Sequence, residues 1–261
     1  MTAATVPARS PGTVTRVVQT VREHAELIVT PVLVVVGGIL LRLNYLRSDR
    51  TFADERALSW ERNLKPQLEQ HISLALWSTL FVILIAVPLG IFLTRARFRR
   101  LSGPVVGFAT SGQAVPAFGL LVLAFAWLDS GAWTAIWALV FFTILPVLRN
   151  TMVGLEQVDP SIIEAGRGMG LTTGQVLRRI ELPLAVPVIL AGVRTALVIN
   201  VGMAALAYLI GGGGLGQTIS AGIQLQRDLV VVTGAGLTAL VALSVDWIAA
   251  LVERALRPRG L

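Results

Sequence analysis

The chain has 261 residues, 54% of them hydrophobic and only 14% charged, with a mean hydropathy of +0.74 and no cysteine. Soluble domains carry about 25% charged residues, so this composition cannot close into one water-facing globule without large exposed apolar patches. A formal charge of +7 and a pI near 11.2 invite a nucleic-acid reading, while the missing cysteines exclude disulfides, thiolate metal sites and a cysteine nucleophile.

A hydrocarbon core about 30 Å thick needs roughly 20 apolar residues in a helix. Six segments answer to that length or nearly so, at 27–43, 72–94, 104–128, 132–148, 185–210 and 229–252. Their continuous apolar runs disfavour a β-barrel, whose strands alternate. Residues 1–26 form a polar, basic N-terminal segment; 1–12 read as a leader, while Val14, Val17, Val18 and Val21 fall on one helical stripe suited to a membrane surface. The 27–43 helix has no small-residue cleavage site after it and reads as an uncleaved signal anchor. The outer loop 44–71 is charged, and Trp60, Leu64 and Leu68 at four-residue spacing predict a short surface helix leading into the second span. His71 opens that span, in a local hydrogen-bonding role.

The third span carries Gly103, Pro104, Gly107, Gly112, Pro116 and Gly119, a composition that breaks or kinks a helix. Broken helices at membrane depth are tolerated where they face protein or a water-filled path, so Gln113, with Thr110, Ser111 and Pro116 beside it, is a candidate for a translocation pathway. Close helix packing through small residues is the better account of the glycines themselves.

Residues 149–183 are too polar to span. Asp159-Pro160 is a helix start, Gly168 and Gly170 break that helix, and Thr172 or Thr173 caps a second one that runs to about Glu181 and ends at Pro183. Ile162, Ile163, Met169, Val176, Leu177 and Ile180 are then available as an apolar contact surface. From the residues alone, an incidental amphipathic linker and a docking surface fit equally well.

The fifth and sixth spans each hold an ionisable residue. Arg194 lies roughly 13 Å and Asp246 roughly 9 Å from the inner end of its helix by helical rise. Each alone costs about 2.5–3.5 kcal/mol, and opposite charges at similar depth predict an intramembrane ion pair. Asn200 is a further polar group there, as an interhelical partner or a pathway residue. Gly211–Gly216 satisfies GxGxxG but follows no strand, so a tight turn is the better account. The tryptophans sit mostly near span ends, as an aromatic belt.

Orientation follows the basic residues. With both termini cytoplasmic, 14 basic residues face 7 acidic ones on the inner side, the outer side balances, and the whole +7 lies inside. That distribution replaces the nucleic-acid reading, and no nucleic-acid partner is expected. The membrane core is then 72–252 with the polar loop 149–183 inside it, followed by a cytoplasmic tail at 253–261.

Glu164-Ala165-Gly166, three residues, Gly170, nine residues, Ile180, one residue and Leu182-Pro183 meet the spacing of EAA-x3-G-x9-I-x-LP. This resembles the coupling loop of ABC-importer permeases, departing from it only at Gly166, where that family has alanine. LEQHISLALWSTLFVILIAVPLGI (68–91), GQAVPAFGLL (112–121), LPVLRNTMVGLEQVDPSIIEAGRGMG (145–170) and the 181–216 segment are similar to the osmoprotectant branch, whose substrates include glycine betaine, choline and carnitine. Methionine and other amino-acid permeases share much of the pattern.

The resemblance implies an all-α integral membrane protein of about six helices with the type I, MetI-like permease fold, in the cell membrane. It implies coupling through Glu164, Ala165, Gly166, Gly170, Ile180, Leu182 and Pro183. Its partners would be a cytoplasmic ABC ATPase dimer, a second identical or homologous permease, an extracytoplasmic substrate-binding protein and a small solute. ATP and Mg belong to the partner ATPase and no cofactor to this chain, which has no Walker A pattern. An intramembrane enzyme lacks a nucleophile–base cluster within the spans, and an ATP-independent channel has no use for a docking loop.

Overall fold

Long apolar runs without water to bond to leave the backbone one economical choice, internal helical hydrogen bonding. In the computed structural model, residues 13–256 are described, with side chains from 27 onward, and every element among them is helical. Expectations for residues 1–12, for the side chains of the 13–25 stripe and for the tail beyond 256 lie outside the described residues.

The helices in chain order are α1 (Thr13–Arg47), α2 (Phe52–Ala57), α3 (Lys65–Leu93), α4 (Ser102–Ala114), α5 (Ala117–Leu128), α6 (Ala132–Glu156), α7 (Pro160–Gly168), α8 (Thr173–Val176), α9 (Leu182–Ala204), α10 (Gly216–Gln224) and α11 (Asp228–Leu256). Among the described residues five stretches are long and apolar enough to cross a membrane, and α4 with α5, bent by 102°, passes the same test as a pair. The bend falls where Val115 and Pro116 leave the helical region, with ψ of 133° at both. Proline at 116 has no N–H to continue the ladder and biases Val115 to extended backbone. Because Gly131 N donates to Ile210 O at 2.8 Å, α5 finishes beside the glycine turn, at the opposite end of the bundle from the α3–α4 connection. The bent pair is therefore one broken crossing.

The 44–71 segment departs from expectation. Its helix is α2, capped by Thr51, which exchanges hydrogen bonds with Asp54 in a capping box. Trp60–Leu64 is a π-helical turn continuous with α3. A second π-helical turn, Leu177–Glu181, joins α8 to α9. Both precede a proline at the second position of the following helix, Pro66 and Pro183. A proline ring clashes with the carbonyl four residues back, and widening the turn to an i→i+5 bond removes that clash. Pro183 therefore does not end the second loop helix, contrary to expectation; the helix runs from Thr173 through to Ala204.

The core forms around α6, whose buried Ala138, Leu139, Leu145, Val147 and Leu148 meet Val82, Ala86 and Leu93 of α3 and Ala196 and Ala204 of α9. α4 comes close because Gly112 has no side chain: a Cβ there would lie 2.7 Å from Phe141 O. α1 stands apart from this core and packs against α11, with Gly37 against Leu240, Gly236 against Leu41, and Trp247 Nε1 donating to Leu27 O at 3.1 Å. Leu76, Leu84, Phe125, Trp127, Ile248 and most of the described side chains of α1, from Leu27 onward, are exposed, the apolar girdle of a bilayer protein. Trp77, Phe81, Trp133 and Trp137 form an aromatic cluster across α3 and α6, with neighbouring centroids 5.1–6.5 Å apart. It went unseen in the sequence because its members meet only between helices.

Candidate coupling hairpin and intramembrane polar sites

The polar loop folds as a helical hairpin. Asp159 Oδ1 accepts from Ser161 N at 2.8 Å, and Pro160 fills the first helical position, where its missing N–H is harmless. That backbone bond holds the Asp159 carboxyl below the usual carboxylate range. At the other end of α7, Leu171 N bonds Gly166 O at 3.2 Å and Gly170 N bonds Arg167 O at 2.9 Å. These are the two bonds of a Schellman cap, which needs a left-handed residue at Gly170, and its φ is +82°. Thr172 then opens α8 with Gln175 in a reciprocal capping box.

The two loop glycines do different work. A Cβ on Gly170 would meet nothing within 4 Å, so conformation rather than close approach demands glycine there. At Gly166 a Cβ would lie 2.5 Å from Ile180 Cδ1. Here Ile180 occupies the space that an alanine side chain would take, and the departure from the family pattern is matched by its neighbour. The expected apolar surface divides accordingly. Val176 is fully buried and Leu177 and Ile180 half-buried within the hairpin, while Met169 is 75% exposed and Ile162 is exposed as well. Glu164 and Ala165 are exposed on α7. Leu182 and Pro183 are half-buried at the root.

Arg194 and Asp246 meet in bidentate geometry, Nε to Oδ1 at 2.5 Å and Nη2 to Oδ2 at 2.7 Å, with Glu253 Oε2 at 4.0 Å from Nη1. Both side chains of the pair are about a quarter exposed (26%). Asn200 is fully buried. Its amide donates to Thr79 Oγ1 of α3 at 3.0 Å, and its oxygen accepts at 3.1 Å from Thr143 of α6, which shares its hydrogen with Leu139 O. Asn200 thus ties three helices together and lines no open path in this structure. Gln113 and Pro116 are exposed at the break between α4 and α5, whereas the Thr110 and Ser111 hydroxyls bond back to Val106 O and Phe108 O.

Three contacts escaped the sequence reading. Glu181, at the hairpin root, is buried and bound to Arg95 just beyond α3. Asp54 is buried and bidentate to Arg227, joining α2 to the start of α11; that guanidinium holds the carboxyl far below the usual carboxylate range. At the glycine turn, Gly211, Gly213 and Gly214 have φ of +75°, +84° and +91°. Gln70 accepts from Gly214 N at 3.1 Å, and Gln67 accepts from Thr218 N and Oγ1. His71 is buried there with Nε2 at 2.9 Å from Val201 O. Gln67, Gln70 and His71 lie 130 or more positions from the groups they bind, so their roles leave no local signature. Among the described residues no group of acidic, histidine or cysteine side chains is arranged to hold a metal.

The described residues thus form a bundle of broken and continuous membrane-length helices carrying a capped polar hairpin. Residues 86–258 match the family of binding-protein-dependent transport system inner membrane components, and the chain belongs to that family. It is 38% identical over 192 residues to the glycine betaine/carnitine/choline transport system permease protein OpuCB of Bacillus subtilis, covering 74% of this chain and 88% of that one. It is 37% identical over 197 residues to the osmoprotectant import permease protein OsmW of Salmonella typhimurium, covering 74% and 91%. Among solved structures, an inward-facing form of the MetNI methionine ABC transporter superposes with a TM-score of 0.66 at 24% identity, over 75% of this chain and 96% of that one. The all-α, MetI-like fold expected from the sequence is the fold found.

Proposed function

We propose that this chain is the transmembrane permease subunit of an ATP-driven importer for osmoprotectants such as glycine betaine, choline or carnitine. The observation that carries the reading is the hairpin of 157–183, with Glu164, Ala165 and exposed Met169 and Ile162 on its outer face, in a chain 37–40% identical to osmoprotectant permeases. The hairpin faces the cytoplasm, both termini lie there, and a partner ATPase dimer receives α7 in a groove. Glu164 stands beside that contact, while Gly170 and the Thr172 cap fix the angle between α7 and α8. An apolar anchor with a rim of polar groups is the usual anatomy of such a contact.

A second permease copy, identical or homologous, completes the pathway, and an extracytoplasmic binding protein delivers the solute at the glycine-turn end. Gln113 and Pro116 at the bend border that pathway. ATP and Mg act on the partner, and this chain supplies the conformational change. A methionine importer is the alternative reading, favoured by fold alone.

The test is co-expression with the ATPase and binding protein and uptake of radiolabelled glycine betaine in proteoliposomes. ATP-dependent uptake is expected, together with co-purification of the ATPase that is lost on Met169→Asp. Uptake of methionine but not glycine betaine would overturn the substrate assignment. Retention of the ATPase by the Met169→Asp chain would overturn the docking face.

A further inference from the structure

An ionised carboxylate is rarely buried without a partner, because losing water costs several kcal/mol unless charge and hydrogen bonds replace it. Glu181 is such a group, with its side chain 5% exposed. Arg95 meets it with both terminal nitrogens, Nη1 to Oε1 at 3.2 Å and Nη2 to Oε2 at 2.6 Å. The guanidinium is itself oriented, Nε donating to Ile91 O at 3.3 Å and Nη2 to Thr94 Oγ1 at 3.1 Å. A two-toothed, buttressed pair of this kind resists both sliding and rotation.

Its position gives it a role. Glu181 ends the π-helical turn at the hairpin root, and its predecessor Ile180 fills the space over Gly166 on α7. Contact therefore runs from α7 through Ile180 to Glu181 and across to Arg95 at the end of α3. Further along, α3 is fastened to α9 by Thr79 and Asn200 at mid-depth and by His71 and the Val201 carbonyl beyond it. Its far end holds the glycine turn and α10 through Gln70 and Gln67. Polar ties at three depths join α3 to α9, and the inner tie is the only one of the three adjoining the hairpin.

We propose that Arg95 and Glu181 are positioning residues that carry displacement of the coupling hairpin, which enters α9 through its continuous helix, across to α3 as well, and so to the glycine turn at the opposite membrane face. This inference rests on the reading of the chain as an ATPase-driven permease. The joint stays closed through the cycle and moves as a block, in contrast to an ion pair that opens as a latch.

The absence of native cysteine in this chain allows a direct test. Arg95→Cys with Glu181→Cys is assembled with the ATPase and binding protein, the latter two freed of cysteine, and reconstituted in proteoliposomes with radiolabelled glycine betaine as the probe. The quantity read is solute imported per ATP hydrolysed, which a defect of folding or yield alone does not move. Without a bridge the ratio falls by about fivefold or more, the lower bound of ordinary intersite coupling. Joining the two thiols with a short bifunctional maleimide restores it.

An unchanged ratio in the unbridged protein, or a bridge that arrests uptake, overturns the joint. Should the dicysteine chain not assemble, Glu181→Gln replaces it with the same readout and the same expected fall. If the unaltered complex itself shows no uptake linked to ATP, the permease reading fails and the joint falls with it. A transporting complex whose variants keep their ratio refutes the joint alone.

Discussion

Gly170→Ala isolates the conformational demand of the hairpin turn. The residue sits at φ +82° with open space around its would-be Cβ, so the added methyl meets no neighbour and crowds only its own backbone. Holding an L-residue in the left-handed region costs about 1–2 kcal/mol, a factor of roughly 5–30 in a local equilibrium. The strain falls on the Schellman bonds of Gly170 and Leu171 and on Met169 N to Ala165 O at 3.0 Å. Hydrogen exchange of those amides in detergent, followed by mass spectrometry, should quicken by about that same 5–30-fold factor.

Two companions sharpen the result. Gly168→Ala, at ordinary φ and also with nothing within 4 Å, should leave exchange unchanged or slow it, since alanine exceeds glycine by about 0.8–1 kcal/mol in helix propensity. Gly170→Asn should be milder than alanine, because asparagine tolerates the left-handed region through local hydrogen bonding. If asparagine proves worse than alanine, space rather than backbone conformation is what the site requires, and the reasoning fails.

Two further outcomes follow from the ion pairs. Asp246→Asn removes the bidentate partner of Arg194 and should lower stability in detergent by roughly 1–3 kcal/mol, discounted from the 3–5 of a fully buried pair for its partial exposure; Arg194→Met with Asp246→Leu should recover most of this, and equal losses in single and double variants would refute the pairing argument. The folded Asp54 carboxyl titrates well below its ordinary value of 3.8, chiefly because Arg227 donates to it, so its stabilisation is fully present above about pH 4 and is lost as pH falls toward the lower folded value. Thermal melts of unaltered and Asp54→Asn chains should therefore differ at neutral pH and converge only in strong acid; a difference already lost at pH 5 would contradict the depressed pKa.

Much of this was legible because the signals are local. Apolar runs gave the spans, Asp159-Pro160 and Thr172 gave the loop helices, and Pro116 gave the break, each through backbone chemistry acting within a few residues. The Arg194–Asp246 pair was accessible because burying either charge alone is so costly that a partner had to exist. Pro183 misled for a steric reason: a proline ends a helix only if the preceding turn keeps its regular pitch, and here that turn widens. The role of Gly166 was hidden because the space belongs to Ile180 on the other arm of the hairpin. Arg95 with Glu181, 86 positions apart, and the paired glutamines at the glycine turn meet only once the helices are docked, so no spacing rule reaches them.

The seat of α1 on α11 bears on how the molecule is made. Leu27 and Trp247, joined across that contact, lie 220 positions apart. At a synthesis rate of about 5–20 residues per second, roughly 10–40 s separate them at the ribosome. The helix bundle around α6 has all its members before α11 emerges, whereas α1 spends that interval in lipid without the surface it finally occupies. Assembly of this permease therefore closes on its earliest described helix, and a chain stopped short of α11 leaves that helix inserted but undocked.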